Sequence, residues 1–299
     1  MVEKQQSLFV LNESEQRIDA TYAWTEDVLK LRDNKGQAIG FEKSVEKKLI
    51  SEDKMNEYNE ELRKAVEKGY LVKLEKEDLD KYKGPVSYVT HFPVYNPKLK
   101  STPVRVVTNT SLVNRNCNLS PNQCMATPPN ALTSLLQVFI RWRTYPRALN
   151  MDLSKAYQSV HTGITEKHVR RVVWRWGNKD AEWTDYAWAV MTFGDTLASL
   201  ILELVKKIGA DLGRDIDEEA VEVLLESTYV DDTLGGGTTE MVERFMGDRQ
   251  DDGTYTGTLP KILSKVGLHP KVILIDGETD PEVLKLLPDK TLGHICKCT

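Results

Sequence analysis

Two adjacent acidic residues, Asp231 and Asp232, are the strongest candidates for chemistry in this chain. Short β-prone segments flank them, residues 228–230 before and 233–234 after. This pattern predicts a tight hairpin with the carboxylates at its tip. Adjacent carboxylates repel each other, whereas hard Mg²⁺ prefers carboxylate oxygens as ligands. The pair therefore predicts a site for Mg²⁺, with Mn²⁺ as an alternative ion.

A third carboxylate, Asp152, occupies a similar setting. Residues 147–152 have the pattern of a short strand and residues 153–160 turn helical. Asp152 is therefore expected at the end of a strand, where reactive groups are common. Alone, it would be interpreted as a helix N-cap. Together with Asp231 and Asp232, it favours a role as a metal ligand.

Helices and strands alternate around these acids. Residues 196–208 have the clearest helical pattern, because apolar residues recur on one face, and Gly209 is expected to end this helix. Further helices are predicted over 51–67, with Ser51 as the cap, and over 260–266. The mixture of helices and strands predicts an α+β fold.

Composition and charge describe an ordinary globular protein. The chain has 299 residues, of which 40% are hydrophobic and 28% charged, and its net charge is −5; this suits one or two domains. We expect no membrane partner, because no run of 18 apolar residues and no signal-peptide pattern occurs. The four cysteines are too few and wrongly spaced for a disulfide framework or a zinc site.

Three basic clusters, residues 98–105, 141–147 and 167–175, interrupt this acidic chain. Two of them contain tryptophan, and this combination suits backbone tracking and base stacking on nucleic acid. Taken singly, each cluster is better explained as a solvated helix face with buried tryptophan. Because the clusters flank Asp152 on both sides, nucleic-acid binding gains weight.

The aspartate motifs resemble those of reverse transcriptases. Tyr157 follows Asp152 by five residues, like the aromatic residue of the family's first catalytic motif, and the segment 229–232 matches the third motif, Tyr-X-Asp-Asp. The resemblance implies an α+β right-hand polymerase palm with fingers, and a thumb that is absent. It divides the chain into an extension leading into the fingers (1–83), fingers (84–145) and a palm (146–299) with a fingers insertion at about 163–185.

Other motifs match the nucleotide-binding parts of the same family. The resemblance implies dNTP binding by Lys98, Arg105, Tyr157, Phe193 and Gly194, and a primer grip at Leu292 and Gly293. Three features depart from the family pattern, one of which is the missing proline near Ser199. Asn109 replaces an Asp after the Arg105 strand, and Asp195 replaces the Leu that follows Phe-Gly.

Three segments, residues 91–94, 118–122 and 141–145, are similar to the BEL/Pao group of LTR retrotransposons. This resemblance implies that the chain is a fragment of a polyprotein. Protease, ribonuclease H and integrase are then expected elsewhere in that polyprotein, and virus-like particles in the cytoplasm are the expected location.

The implied activity is RNA-directed DNA polymerisation. Asp152 and Asp231 would bridge two Mg²⁺ ions, supported by Asp232 and by the carbonyl of Leu153, for phosphoryl transfer from a dNTP to a primer 3′-OH on an RNA or DNA template. Tyr157 would exclude a ribose 2′-OH, which disfavours an RNA polymerase. The alternative for Tyr157 is a core aromatic residue.

A second function from another class stays open. The chain could be a catalytically inactive retroelement relic that keeps the polymerase fold and at most binds nucleic acid. Asn109, Asp195, the lost proline near Ser199 and the absent thumb favour the relic. The intact aspartates and Tyr157 favour the enzyme.

Overall fold

The computed structural model of the chain describes residues 8–96, 104–126 and 132–275. The strands are β1 Phe9–Asn12, β2 Arg17–Ala20, β3 Leu71–Lys73, β4 Thr90–Tyr95, β5 Val104–Asn109, β6 Arg147–Leu153, β7 His161–Thr162, β8 Arg171–Trp174, β9 Thr184–Trp188, β10 Thr228–Tyr229, β11 Asp232–Gly237 and β12 Pro270–Ile275. The α-helices are α1 Lys35–Ser51, α2 Met55–Glu67, α3 Lys76–Lys81, α4 Leu135–Trp142, α5 Ile164–Val169, α6 Ala198–Gly213, α7 Glu218–Glu226, α8 Thr239–Met246 and α9 Thr258–Ser264. Short 3₁₀ helices occur at Glu26–Lys30, Asn122–Cys124 and Ala156–Ser159.

The α+β class predicted from the sequence is confirmed, because helices and antiparallel strands occur throughout the described residues. These residues form two compact units. The first unit holds 8–9, 19–96, 104–126 and 161–198, and the second holds 10–18, 132–160 and 199–275. The division into fingers and palm stays a prediction. In the described parts of the chain, no helix is both long and apolar enough to cross a membrane.

The second unit is built on a four-stranded antiparallel sheet with the order β10-β11-β6-β12. Alternation along β6 buries Leu149, Met151 and Leu153 and leaves Asp152 on the other, partly exposed face. Helices α7 and α8 pack against β11. The approach of α7 is close enough that a Cβ on Gly235 would lie 2.5 Å from Val223. Packing on one face thus leaves the opposite face of β6 for polar groups.

The first unit has its own core, made by the sheet β3-β9-β8, the hairpin β4-β5 and helices α1 and α2. Trp174 of β8 is almost fully buried there, and its ring meets the Tyr58 ring of α2 edge-on at 5.6 Å. The indole nitrogen donates to Asn59 Oδ1 at 2.9 Å. Burial of a large aromatic ring with a satisfied N–H is a strong local source of stability.

Two helix boundaries differ from the sequence prediction. Ser51 is the last residue of α1 and caps no helix, because α2 begins at Met55. The sequence pattern also misses α1, since acidic Glu42 and Glu46 occupy buried positions where apolar residues are expected. Helix α6 does not end at Gly209. This glycine permits close packing instead, because a Cβ there would lie 2.9 Å from Val266.

Candidate active site

The register of the second unit brings two of the predicted acids together. Strands β6 and β11 run antiparallel, with Asp152 directly opposite Asp232 and Met151 opposite Thr233. Opposed residues of an antiparallel pair project from the same face, with Cβ atoms about 5 Å apart. Asp152 and Asp232 therefore share the face of β6 that lies opposite the buried Met151.

Asp231 lies in the turn that connects β10 to β11. Tyr229 pairs with Asp232, so the turn consists of Val230 and Asp231 alone, and the predicted hairpin is confirmed. The hydroxyls of Thr228 and Thr233 lie 2.9 Å apart across the strands. Val230 has φ +56°, a conformation that two-residue hairpins favour but that a β-branched residue adopts at a cost. The turn is therefore strained next to the acids.

The electrostatics of the three acids are unfavourable for three negative charges. The pKa of Asp232 is raised to about 7 by burial and by the neighbouring charges of Asp231 and Asp152. Lys206 of α6 is almost fully buried, pairs with Glu203 at 2.8 Å and interacts electrostatically with Asp231, and burial lowers the pKa of its amine. Near neutral pH, the Asp232 carboxyl group is therefore stabilised when it binds either a proton or a cation.

The fit of this face to a divalent cation rests on its donor set. Across residues 8–96, 104–126 and 132–275, no three His, Cys, Asp or Glu side chains are gathered closely enough to hold a metal ion. The donors that the register supplies are carboxylate oxygens on one face, which suit Mg²⁺ by type. The raised pKa of Asp232 gives the same indication, because a bound cation would remove the mutual repulsion. Leu153, the last residue of β6, has a hydrocarbon side chain without a donor atom, so only its backbone carbonyl could contribute.

Tyr157 lies five residues beyond Asp152, in the 3₁₀ helix Ala156–Ser159. Its side chain is partly buried, and its hydroxyl lies 3.0 Å from Ser199 Oγ at the start of α6. Burial raises the pKa of Tyr157, the hydrogen bond with Ser199 lowers it, and the charge of Asp231 raises it further. The ring is thus held on the second unit within the electrostatic reach of Asp231.

The candidate nucleotide residues of the first unit also lie together. Arg105 is exposed on β5, and its Cζ lies 6.0 Å from the centroid of the Phe193 ring, within the range of a cation–π contact. The Thr110 hydroxyl donates to the carbonyl of Gly194 at 2.6 Å. Gly194 has φ +114°, and a Cβ there would lie 2.4 Å from the Thr108 carbonyl. Glycine is required at this position because β5 approaches so closely. Lys98, Leu292 and Gly293 lie outside the described residues.

The position of the basic cluster 167–175 near Asp152 favoured nucleic-acid binding, but the structure gives its arginines another role. In the cluster 167–175, Arg170 and Arg171 are buried, and Arg175 pairs with buried Glu46 at 2.7 Å. Buried and paired guanidinium groups cannot track a phosphate backbone. These arginines are therefore not available to nucleic acid, contrary to the weight that the position of the cluster gave to that prediction, and they form ion pairs and hydrogen bonds within the first unit.

The sequence pattern placed Arg170 only within the basic cluster 167–175 and did not indicate its partner. Arg170 is fully buried and donates to the Asp195 carboxylate at 2.7 Å. The unusual Asp195 after Phe193-Gly194 was the signal available in the sequence, because a buried acid requires a buried partner.

No protein-family model matches the chain, and no curated protein matches it. Among solved structures, it is similar to the foamy viral protease–reverse transcriptase in complex with double-stranded DNA, with 15% sequence identity and a TM-score of 0.45. The alignment covers 69% of this chain and 28% of that chain, so this chain spans little more than a quarter of that protein.

Proposed function

We propose that the chain is the fingers and palm portion of a reverse transcriptase, of the BEL/Pao type, that synthesises DNA from dNTPs on an RNA or DNA template. The observation that carries the proposal is the cross-strand pairing of Asp152 with Asp232, next to Asp231 in a two-residue turn. Two carboxylates opposed across β6 and β11, with a third in the adjoining turn and the pKa of Asp232 raised to about 7, suit a cation better than they suit a purely structural role.

In this proposal, Asp152 and Asp231 hold Mg²⁺, with Asp232 in support and Mn²⁺ as an alternative ion. When bound, the ions would neutralise the charge of the triphosphate and lower the pKa of the primer 3′-OH. The chain itself contributes alignment. The β6–β11 register fixes Asp152 relative to Asp232, and the strained turn at Val230 fixes where Asp231 emerges. Phosphoryl transfer depends chiefly on such positioning and on charge neutralisation.

The sugar is selected by Tyr157 in this proposal. A ring held through its hydroxyl by Ser199 has a restricted position, so it can act as a steric barrier to a 2′-OH. The partial burial of Tyr157 leaves part of the side chain accessible. The same feature favours the barrier over a fully buried core residue, which would not be accessible to a nucleotide.

On the first unit, Arg105 would contact the triphosphate of the incoming dNTP, since an exposed guanidinium on a strand suits phosphate oxygens. Phe193 and Gly194 would contribute the neighbouring surface. Lys98, Leu292 and Gly293 are proposed for the triphosphate and the primer grip on the sequence resemblance alone. The partners proposed are a primed template, dNTPs and the remainder of a polyprotein, in cytoplasmic virus-like particles.

The competing proposal is an inactive relic that retains the fold. Asn109 still favours it. Asp195 no longer favours the relic, because its buried charge is paired with Arg170. A substitution whose charge has a partner is not a sign of decay.

Primer extension tests the proposal. The chain, as it stands and fused to a reverse-transcriptase thumb, is incubated with a primed RNA template, dNTPs and Mg²⁺. We expect extension that Asp231→Asn abolishes. Asp251→Asn, which changes an exposed carboxylate of the same unit, serves as the matched control and should extend normally. Absence of extension by both forms of the unmutated chain would favour the relic.

A further inference from the structure

We infer that the buried pair of Arg170 and Asp195 is a positioning device for the turn formed by residues 192–195, which carries Phe193 and Gly194. The inference rests on the proposed function, because it assigns to this turn a part in dNTP binding. It goes beyond that function by making two buried residues, which a nucleotide would not touch, determinants of nucleotide affinity.

The pair is part of a network that ties separate elements of the first unit together. Arg170 Nη1 donates to Asp195 Oδ2 at 2.7 Å and to the Val190 carbonyl at 2.9 Å. Its Nη2 donates to Thr162 Oγ1 at 2.7 Å. The Tyr22 hydroxyl donates to the same Asp195 oxygen at 2.6 Å. Because Thr162 of β7 and Val190 meet the guanidinium, and Tyr22, which follows β2, meets the carboxylate, the position of Asp195 is fixed from several sides.

Asp195 in turn holds the beginning of the 192–195 turn. Its Oδ2 accepts from the backbone N–H of Thr192 at 3.3 Å and from the Thr192 hydroxyl at 3.2 Å. The Asp195 N–H donates back to the Thr192 carbonyl at 3.4 Å. A carboxylate that accepts from both backbone and side chain closes the turn on itself. The leucine expected here from the sequence resemblance could accept none of these hydrogen bonds.

The turn is also joined to β5, which carries Arg105. The Thr108 hydroxyl lies 2.8 Å from Thr192 Oγ1 and 2.9 Å from the Phe193 carbonyl. The chain of contacts therefore runs from Arg170 through Asp195 and Thr192 to Thr108, three residues from Arg105 on the same strand. Loss of Asp195 should loosen the Phe193 side of the Arg105–Phe193 contact while β5 itself stays paired to β4.

The test uses two variants and one matched control. Asp195→Asn removes the charge that holds the turn. Thr192→Val keeps the ion pair and removes only the hydroxyl between Asp195 and Thr108, so it remains informative if Asp195→Asn does not fold. Asp185→Asn is the control, because Asp185 is also a nearly buried carboxylate of the first unit, paired with Lys35 at 2.7 Å, and has no hydrogen bond to the turn.

Two measurements are made on each variant, namely amide hydrogen exchange of residues 192–196 and the KM for dNTP with kcat in primer extension. Both test variants should exchange about tenfold faster in this segment and raise KM by about tenfold with a smaller change in kcat, as expected for the loss of one or two hydrogen bonds. The control should leave exchange in this segment and KM unchanged.

The outcomes separate the inference from the proposed function. Unchanged exchange in both Asp195→Asn and Thr192→Val, or equal acceleration in the Asp185→Asn control, would overturn the inference whether or not the chain polymerises DNA. If the unmutated chain never incorporates dNTP, faster exchange in the two test variants would support the positioning of the turn and reject its link to nucleotide affinity. Faster exchange with unchanged KM in an active enzyme would reject that link as well.

Discussion

The substitution Asp232→Asn should stabilise the metal-free protein at alkaline pH and have little effect at acidic pH. The pKa of Asp232 is raised from 3.8 to about 7 by burial and by the charges of Asp231 and Asp152. Between these two values the folded state binds a proton that the unfolded state does not bind. The contribution of Asp232 to folding stability therefore falls as pH rises from about 4 to about 7. Asparagine does not titrate, so the variant should not lose this stability as the pH rises.

The magnitude follows from the size of the shift. A shift of about three units would correspond to about 4 kcal/mol if it were fully expressed. Asp232 is only partly buried, and solvent screening reduces the expected effect to about 1–2 kcal/mol. Mg²⁺ should reverse the sign, because a cation that binds the carboxylates stabilises the unmutated protein and acts less on the variant.

Urea unfolding in EDTA at pH 4.5, 6 and 8 measures the effect as a difference between the variant and the unmutated protein. Other titrating groups contribute equally to the free energy of unfolding of both proteins, so their contributions cancel in this difference. These groups include His91 and His168, whose pKa values are lowered to about 4 by burial. Asp251→Asn serves as the control and should give a difference that is small at every pH. A difference for Asp232→Asn that is independent of pH, or a variant less stable than the unmutated protein at pH 8, would refute the assignment of a raised pKa.

Three further substitutions test other parts of the second unit. Tyr157→Val should lower the dNTP:NTP incorporation ratio on the order of 100-fold, for a clash of about 3 kcal/mol, with dNTP incorporation largely retained; unchanged selectivity in an active variant would contradict the steric barrier. Val230→Gly should raise the free energy of unfolding by about 1 kcal/mol, because it relieves φ +56°; a lower value in urea titration would count against strain in the turn. Gly235→Ala should destabilise the unit by about 1–3 kcal/mol, because its Cβ would lie 2.5 Å from Val223; an unchanged thermal midpoint would show that α7 can move away.

The sequence by itself determined the local elements that carry the acids. The hairpin at Asp231, the strand that leads to Asp152 and most of the helix that begins near residue 198 follow from patterns of period two or 3.6 within a few residues. Such patterns are recognisable because backbone preference and burial agree locally. They also sufficed to predict an α+β fold.

Only the tertiary structure decided which distant residues meet. Asp152 and Asp232 are opposed through the register of β6 with β11, and no local preference specifies that pairing. The buried partner of Asp195, Arg170, became known only from the fold, and without that partner an acid after Phe193-Gly194 looks like a lost motif. The buried charges of the cluster 167–175 misled the sequence prediction for the same reason. Burial and pairing are properties of the packed chain, since they depend on neighbours that the sequence separates by tens of residues.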